Sequence, residues 1–211
     1  MTPPTTLPPL LVLTDRRAAA AHGHSLEDTV AAAVAGGARA VVLREKDLLP
    51  GERSRLARTL QQLLGPVGGV LLAASDPTPV TDGVHLAEDD PMPSDPTAAG
   101  FFLGRSCHDA AGLTRAAREG CAYVTVSPVF PSASKPGYGP PLGSEGLRAL
   151  VESAPLPVYA LGGVDTATAP ACREAGAAGL AVMGAVMGAA DPASTVAALL
   201  AAWHCTSAVA R

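Results

Sequence analysis

The chain has 211 residues, of which 48% are hydrophobic and 16% charged, with a formal net charge of -4 and a pI near 5.7. This size and composition suit one domain with a single substantial core. The mildly acidic balance argues against nucleic acid or an anionic membrane as a partner, so we expect the partners to be small molecules.

Cysteine spacing and hydropathy favour the reducing cytoplasm. The four cysteines are far apart and form no CxxC pair, which argues against a zinc knuckle or a redox pair. We recognise no secretory signal, and Gly, Pro or a charge interrupts every apolar run before the roughly 18 residues that a membrane span needs. A homodimer is compatible with this composition, although no sequence feature argues for it.

The first half of the chain alternates apolar strands with polar tips. Residues 1–9 are rich in Pro and Thr, and we expect a flexible segment there. Strands are predicted over 10–13, 40–43, 70–74 and 84–86. Ser25, with Asp28 three residues later, indicates a helix start, and a second helix runs from 50 to 64.

The second half continues the alternation. Strands are predicted over 101–103, 123–126, 158–161 and 180–183, and helices over 109–119, 144–153, 168–175 and 191–204. Only six residues separate Asp76 from Gly83, too few for a crossover helix. The stretch 91–99 also carries Pro, Ser and Asp where a helix is expected, so we predict one or two reduced crossover helices between strands three and five.

Eight strands alternating with helices or their remnants predict an α/β fold, a (β/α)8 TIM barrel formed by residues 10–204, with 205–211 as a tail. The rival topology is a doubly wound open sheet, which does not normally need eight strands in so short a chain. The polar tips follow the carboxyl ends of the strands, where such barrels place their active sites.

Two carboxylates could hold a metal ion. Asp76 and Asp90 end neighbouring strands, so they could converge on one hard cation such as Mg²⁺, with substrate oxygen completing the shell. Glu88 and Asp89 compete for the second position. The alternative is that both carboxylates are ordinary solvated loop residues.

Three cations could bind a diphosphate beside that metal. Arg44 and Lys46 follow strand two, and Lys135 lies in the long loop 127–143 after strand six. The alternative for the first two is an exposed turn paired internally with Glu45 and Asp47.

Glycines and a histidine complete the candidate site. Gly162-Gly163 and Gly184 follow strands seven and eight, where barrels commonly bind phosphate through backbone N–H groups. His108 could serve as an acid or base, or could make an ordinary hydrogen bond. His85, inside a strand, is interpreted as structural.

Seven motifs carry a family resemblance. They are LTDRR, LREKD, DGVHLAEDD, GRSCH, SPVFPSASKPGYGP, ALGGV and GAAGLAVMGAV. Across nearly its whole length the chain resembles thiamin phosphate synthases and the related thiazole tautomerases. The synthase resemblance implies a magnesium-dependent transferase that joins a hydroxymethylpyrimidine diphosphate to a thiazole phosphate and releases diphosphate.

The resemblance also implies roles for individual residues. Asp76 and Asp90 would hold magnesium, and the diphosphate would be contacted by Arg44, Lys46 and Lys135, with Ser106 close by. The thiazole phosphate would lie near Ser132, Ser134, Gly162, Met183 and Gly184. His108 is included among the substrate-binding residues, as are Val42 and Ser75, which replace a pyrimidine-contacting glutamine and an asparagine of the family.

Two alternatives to the synthase remain open. A tautomerase would move a double bond in a carboxythiazole phosphate, but the position of its expected histidine base is occupied by Pro128. A non-catalytic barrel that binds a phosphorylated ligand is the third hypothesis. Val42 cannot hydrogen-bond an aminopyrimidine, so the sequence does not define which ring is accepted.

Overall fold

Eight parallel strands form a closed barrel at the centre of the computed structural model, which describes residues 6–93, 101–132 and 140–205. The strands are β1 (Leu10–Leu13), β2 (Ala40–Leu43), β3 (Val70–Ala74), β4 (Gly83–Leu86), β5 (Phe102–Cys107), β6 (Tyr123–Val126), β7 (Val158–Leu161) and β8 (Gly179–Val182). Each strand pairs with the next in the chain, and β8 pairs with β1. The predicted (β/α)8 barrel is therefore confirmed.

Helices surround the barrel in the described part of the chain. They are α1 (Arg16–Ala21), α2 (Leu26–Ala35), α3 (Pro50–Leu64), α4 (Ala110–Arg118), α5 (Gly143–Ser153), α6 (Ala169–Glu174), α7 (Gly184–Met187) and α8 (Pro192–His204). The Ser25 hydroxyl accepts the backbone N–H of Asp28 at the start of α2, and Asp191 caps α8 before Pro192. These caps explain why both starts could be predicted from sequence.

The core consists of two apolar layers. One lies between the barrel and the helices, and the other fills the barrel interior, where alternate residues of each strand point. Two glycines make room for aromatic rings in the interior. A Cβ on Gly104 would lie 2.2 Å from the Tyr123 ring, and a Cβ on Gly179 would lie 2.4 Å from Tyr159.

The crossover between β3 and β4 contains no helix, as the short spacing predicted. Residues 87–93 after β4 are also free of helix. Of the stretch 91–99, which was predicted to lack a full helix, residues 94–99 lie outside the described residues, as do residues 1–5 and 206–211 of the predicted terminal segments. Among the described helices, none is long and apolar enough to cross a bilayer.

The main correction concerns β5. The prediction ended this strand at Leu103, but it continues through Gly104, Arg105 and Ser106 to Cys107. Glycine is depleted in strands, and arginine and serine are not among the β-branched and aromatic residues that favour them, so propensity ends the strand too early. Tertiary packing overrides it, because the alternate residues Gly104 and Ser106 lie against buried side chains of β4 and β6. The short helices α1 and α7 were not predicted.

Candidate active site

Loops after β1 and β2 are tied together by an ion-pair network at the carboxyl end of the barrel. Arg16 donates to Glu45 at 2.8 Å and to both carboxylate oxygens of Asp47, at 2.6 and 2.8 Å, while Arg17 donates to Asp47 at 2.7 Å. The hydrogen bond from Arg16 lowers the pKa of Asp47 to about 2. The structure therefore departs from the alternative in which Arg44 and Lys46 pair with Glu45 and Asp47, because these acids pair with the arginines after β1.

Arg44 instead contacts residues that follow β1 and β8. Its backbone N–H donates to the Thr14 hydroxyl at 2.9 Å, and its guanidinium contacts the sulfur of Met183 after β8. The structure thus brings together one residue predicted for the diphosphate and one predicted for the thiazole phosphate.

Asp90 makes three polar contacts at the mouth. Its Oδ2 accepts hydrogen bonds from the Ser75 hydroxyl and, at 2.8 Å, from the backbone N–H of Ala87, and it lies 3.8 Å from Lys46 Nζ. Partial burial acts to raise the pKa of Asp90, but the hydrogen bonds from Ser75 and Ala87, together with Lys46, outweigh it, and the pKa is lowered. Asp90 is therefore held as an anion against a cation and two donors.

Ser75 has a backbone conformation that is uncommon for its residue type. Its φ is +64°, in the left-handed region that Gly and Asn adopt most readily. This conformation directs the side chain after β3 toward the loop after β4. It links the segments that carry the two predicted metal ligands.

Asp76 follows Ser75 and is exposed at the mouth. Its backbone carbonyl accepts a hydrogen bond from Arg53 of α3 at 2.7 Å, and the same guanidinium donates to the Ala74 carbonyl at 2.7 Å. Arg53 is 7% exposed, and burial lowers its pKa. A buried arginine thereby fixes the main chain on which Asp76 lies.

A second buried arginine fixes the loop of Asp90. Arg105 on β5 is 1% exposed, and its NH1 donates to the carbonyls of Ala87, Glu88 and Asp90 at 2.8 to 2.9 Å. Its Nε lies 2.7 Å from Glu119, which compensates the buried charge. Residues 87–90 are therefore held as a turn around the Arg105 guanidinium, and Arg115 donates to the Glu88 carbonyl as well.

The donor set at this place suits a hard divalent cation. Asp76 and Asp90 offer carboxylate oxygens, and all three contacts of Asp90 described above use Oδ2 rather than Oδ1. Within residues 6–93, 101–132 and 140–205, no group of three or more His, Cys, Asp or Glu side chains is placed to hold a metal. A metal at this point would need further oxygen ligands from substrate or water.

Ser106 lies on β5 inside the barrel mouth, whereas the prediction that β5 ends at Leu103 placed it in the following loop. Its hydroxyl is 3.0 Å from Nε2 of His85, and Nδ1 of His85 is 2.9 Å from the Tyr123 hydroxyl. Burial, followed by the nearby positive charges of Lys46 and Arg44, lowers the pKa of His85 to about 4. The predicted strand position of His85 is confirmed, and its hydrogen bond to Ser106 links it to a candidate site residue.

His108 connects the loops after β4 and β6. Its Nδ1 hydrogen-bonds the carbonyl of Ser127, and its Nε2 lies 3.6 Å from the Glu88 carboxylate. The sequence left two roles open for His108, and one of them, an ordinary hydrogen bond, is therefore present. The side chain is 29% exposed at the mouth, so contact with a ligand is also open to it.

The interior below the mouth has an apolar wall and a polar wall. Val42 is buried in the barrel interior in one apolar cluster with Leu13 and Ala74. The other side is lined by polar groups of β4 to β6, which are the imidazole of His85 and the hydroxyls of Ser106, Tyr123 and Thr125. A substrate ring that enters the mouth would meet hydrogen-bonding groups on the polar wall and an apolar surface at Val42.

The glycines after β7 are packed tightly. Gly162 and Gly163 have φ values of +91° and +64°, and a Cβ on Gly163 would lie 2.4 Å from the Pro131 carbonyl oxygen. Gly184 is the first residue of α7, and Met183 precedes it. Ser132 lies partly exposed in the loop after β6, while Ser134 and Lys135 lie outside the described residues.

Sequence reasoning missed Arg53 and Arg105 as parts of the site. Arg105 follows the apolar start of β5, and Arg53 lies four and seven positions before the buried Ala57 and Leu60 on one face of α3. A charged residue in register with buried positions is a usable signal for a structural clamp. Their partners are backbone carbonyls, which no side-chain pattern reveals.

The fold and the mouth together define a class of protein. A (β/α)8 barrel with Arg44, Lys46 and a held carboxylate at the carboxyl ends of its strands is an enzyme scaffold suited to a small anionic substrate. A protein-family model described as thiamine monophosphate synthase matches residues 10–186. The chain belongs to that family.

Individual relatives agree with the family assignment. A putative thiamine-phosphate synthase of Geobacter sulfurreducens is 38% identical over 201 residues, covering 91% of this chain and 92% of the relative. A thiamine-phosphate synthase of Roseiflexus castenholzii is 39% identical over 197 residues, covering 89% and 85%. The solved thiamine phosphate pyrophosphorylase of Pyrococcus furiosus superposes with a TM-score of 0.80 at 30% identity, covering 92% of this chain and 94% of that one.

Proposed function

We propose that the protein is a magnesium-dependent thiamin phosphate synthase, which transfers a hydroxymethylpyrimidine group from its diphosphate to a thiazole phosphate and releases diphosphate. The observation that carries the proposal is the contact set of Asp90, which joins Ser75 after β3 and Lys46 after β2 to one carboxylate. Enzymes that expel diphosphate need a cation-rich site of this kind, since negative charge builds on the leaving group.

The residues have distinct roles in this reaction. Arg44 and Lys46 would bind diphosphate oxygens, and Lys135, in the segment after 132, would complete the set. Asp76 and Asp90 would hold magnesium, which would neutralise part of the charge that develops on the leaving diphosphate. The barrel mouth would keep the thiazole nitrogen beside the carbon that loses the diphosphate, which favours capture of a short-lived cation over its hydrolysis.

The thiazole phosphate would lie on the opposite side of the mouth. Gly162, Gly163 and Gly184 allow close approach of a phosphate to the backbone after β7 and β8. The contact between Arg44 and Met183 joins this side to the diphosphate side. The geometry therefore supports two phosphorylated substrates next to each other.

A cytoplasmic location is a further expectation that accompanies this proposal. The four cysteines are unpaired, and three of them are buried, which suits the reducing cytoplasm. The tautomerase and the non-catalytic barrel remain alternatives that the assay below separates from the synthase. The relatives from Geobacter sulfurreducens and Roseiflexus castenholzii carry the synthase name, which favours the synthase.

The direct test is an assay of diphosphate release by the purified protein. With both substrates and Mg²⁺ we expect release of one diphosphate for each thiamin phosphate formed, and none with EDTA. Asp90→Asn should lower kcat/KM by about 100-fold or more, because it removes the charge that faces the metal and Lys46. Asp89→Asn, at the exposed neighbouring carboxylate, is the matched control and should change it less than about 2-fold.

Two results would contradict the proposal. Absence of thiamin phosphate formation at saturating substrates and Mg²⁺ would rule out the synthase, and conversion of carboxythiazole phosphate would then identify the tautomerase. A larger loss in Asp89→Asn than in Asp90→Asn would show that the wrong carboxylate has been assigned to the metal.

A further inference from the structure

A hydrogen-bonded chain runs through the barrel interior from Tyr123 to Ser106. The Tyr123 hydroxyl lies 2.9 Å from Nδ1 of His85, and Nε2 of His85 lies 3.0 Å from the Ser106 hydroxyl. Thr125 is a weaker branch, with its hydroxyl 3.3 Å from His85 Nε2 and 3.5 Å from Ser106. Tyr123, His85 and Thr125 are buried, whereas Ser106 is partly exposed at the mouth.

The buried tyrosine at one end of these linked hydrogen bonds determines which atom donates in each of them. Burial raises the pKa of Tyr123 well above its ordinary value, so the phenol keeps its proton, and His85 is neutral with one ring N–H. The tyrosine hydroxyl is packed against Gly104, where an added Cβ would lie 2.6 Å from it. Among the described residues its hydrogen-bond acceptor is His85 Nδ1, and a buried hydroxyl that did not donate would be costly.

The donor count then fixes the tautomer. If Tyr123 donates to Nδ1, the single ring hydrogen of His85 must be on Nε2. That hydrogen points to the Ser106 oxygen, which becomes an acceptor. The hydroxyl hydrogen of Ser106 is therefore directed away from His85.

We propose that Tyr123 and His85 are positioning residues that hold Ser106 as a hydrogen-bond donor toward an anionic substrate oxygen in the barrel mouth. With the opposite tautomer, Ser106 would donate to His85 and present only lone pairs to the substrate. This inference rests on the proposed function for the identity of the substrate, a diphosphate ester. The tautomer itself is independent of that function.

The first arm of the test measures the tautomer without any substrate. In ¹⁵N-histidine-labelled protein, the His85 ring should carry its hydrogen on Nε2, with the signal assigned through its loss in His85→Gln. Tyr123→Phe removes the donor to Nδ1, so both tautomers should become populated. Tyr159→Phe is the matched control, because this second interior tyrosine donates to the carbonyls of Leu7 and Pro8 and should leave His85 unchanged.

The second arm is a double-mutant cycle on diphosphate-ester turnover and on binding of inorganic diphosphate with Mg²⁺. Ser106→Ala should weaken both by about 10- to 100-fold, the range for a hydrogen bond to a charged oxygen. Tyr123→Phe should weaken them by about 3- to 10-fold when Ser106 is present and by less than about 2-fold in the Ser106→Ala background. Such coupling is not expected of a residue that only supports the fold.

Each outcome decides the proposal. A His85 hydrogen on Nδ1 in the unmutated protein would overturn it, as would an unchanged single tautomer in Tyr123→Phe. Equal losses from Tyr123→Phe in both backgrounds would show a purely structural role. If the protein makes no thiamin phosphate, the NMR experiment still determines the His85 tautomer, and diphosphate binding still tests whether Ser106 acts as a donor. Failure of the proposed function can therefore be distinguished from failure of this inference.

Discussion

Ser75 shows how one residue can combine an unfavourable backbone with a favourable contact. A non-glycine residue with φ of +64° carries a cost of order 1 kcal/mol, and its hydroxyl donates to the carboxylate of Asp90. A hydrogen bond to a charged group contributes about 1.5 to 3 kcal/mol, enough to offset that cost. Serine at this position therefore supplies the donor, although asparagine tolerates this backbone conformation better.

Substitutions at Ser75 should separate these two effects. Ser75→Ala keeps the backbone cost and removes the donor, so the free energy of unfolding should fall by about 1 to 2 kcal/mol. Ser75→Asn tolerates the left-handed conformation and can still donate, so it should be at least as stable as the unmodified protein. Urea denaturation measures both, and an alanine variant as stable as the asparagine variant would contradict the importance of the Asp90 contact.

At the scale of elements, buried arginines position the loops that carry the acidic residues. Arg53 of α3 holds the carbonyls of Ala74 and Asp76 after β3, and Arg105 of β5 holds three carbonyls of residues 87–90 after β4. No helix lies in the β3–β4 crossover, or over 87–93, to support these loops from outside. The guanidinium groups supply that support from inside.

Removal of Arg105 should lower the stability of the protein. Arg105→Met removes a donor from three carbonyls and leaves the Glu119 carboxylate without its cation, so the free energy of unfolding should fall by about 3 kcal/mol. Adding Glu119→Gln should recover about 1 kcal/mol, because the unpaired charge is removed. Chemical denaturation checks this coupling, and a double variant no more stable than Arg105→Met would contradict it.

The same variant should also weaken metal binding. Because the turn that carries Asp90 is built around Arg105, the apparent Mn²⁺ affinity in the presence of diphosphate should fall by about 10-fold in Arg105→Met. Arg118→Met, at an exposed arginine in the last turn of α4, is the control and should leave it unchanged. Electron paramagnetic resonance of bound Mn²⁺ measures both, and an equal loss in the two variants would count against the positioning role.

Elements with local signals could be predicted, and those set by long-range packing could not. The strands of apolar residues, the Ser25 and Asp191 caps and the absence of a helix before Gly83 all follow from neighbouring residues. The continuation of β5 through Ser106 depends on Gly104 making room for Tyr123, nineteen positions away in sequence. Likewise, the pairing of Arg16 with Glu45 and Asp47 is set by the adjacency of β1 and β2 rather than by sequence proximity.

At the scale of the whole molecule, the closed barrel places an uncharged histidine in its interior near several cations. The folded protein holds the pKa of His85 at about 4, whereas the ordinary value is 6.5. Below pH 6.5 the unfolded chain therefore binds a proton that the folded chain does not, and stability falls as the pH is lowered toward 4. Above pH 6.5 this residue contributes no pH dependence.

Replacing His85 should consequently make the free energy of unfolding less sensitive to acid. Between pH 7 and pH 4.5 the unmodified protein should lose about 2 to 3 kcal/mol more of its free energy of unfolding than His85→Gln does. His204→Gln, at an exposed histidine at the end of α8, should behave like the unmodified protein. Urea titrations at the two pH values measure the difference, and identical losses in all three proteins would show that His85 is not held uncharged.

The central claim is that loops from β2, β3 and β4 form one site for a metal-bound diphosphate. A crystal structure of the protein with thiazole phosphate, diphosphate and Mg²⁺ tests it most directly. We predict metal density between the carboxylates of Asp76 and Asp90, with diphosphate oxygens within hydrogen-bonding distance of Arg44 and Lys46. Metal bound away from both aspartates, or diphosphate bound outside the barrel mouth, would contradict the account.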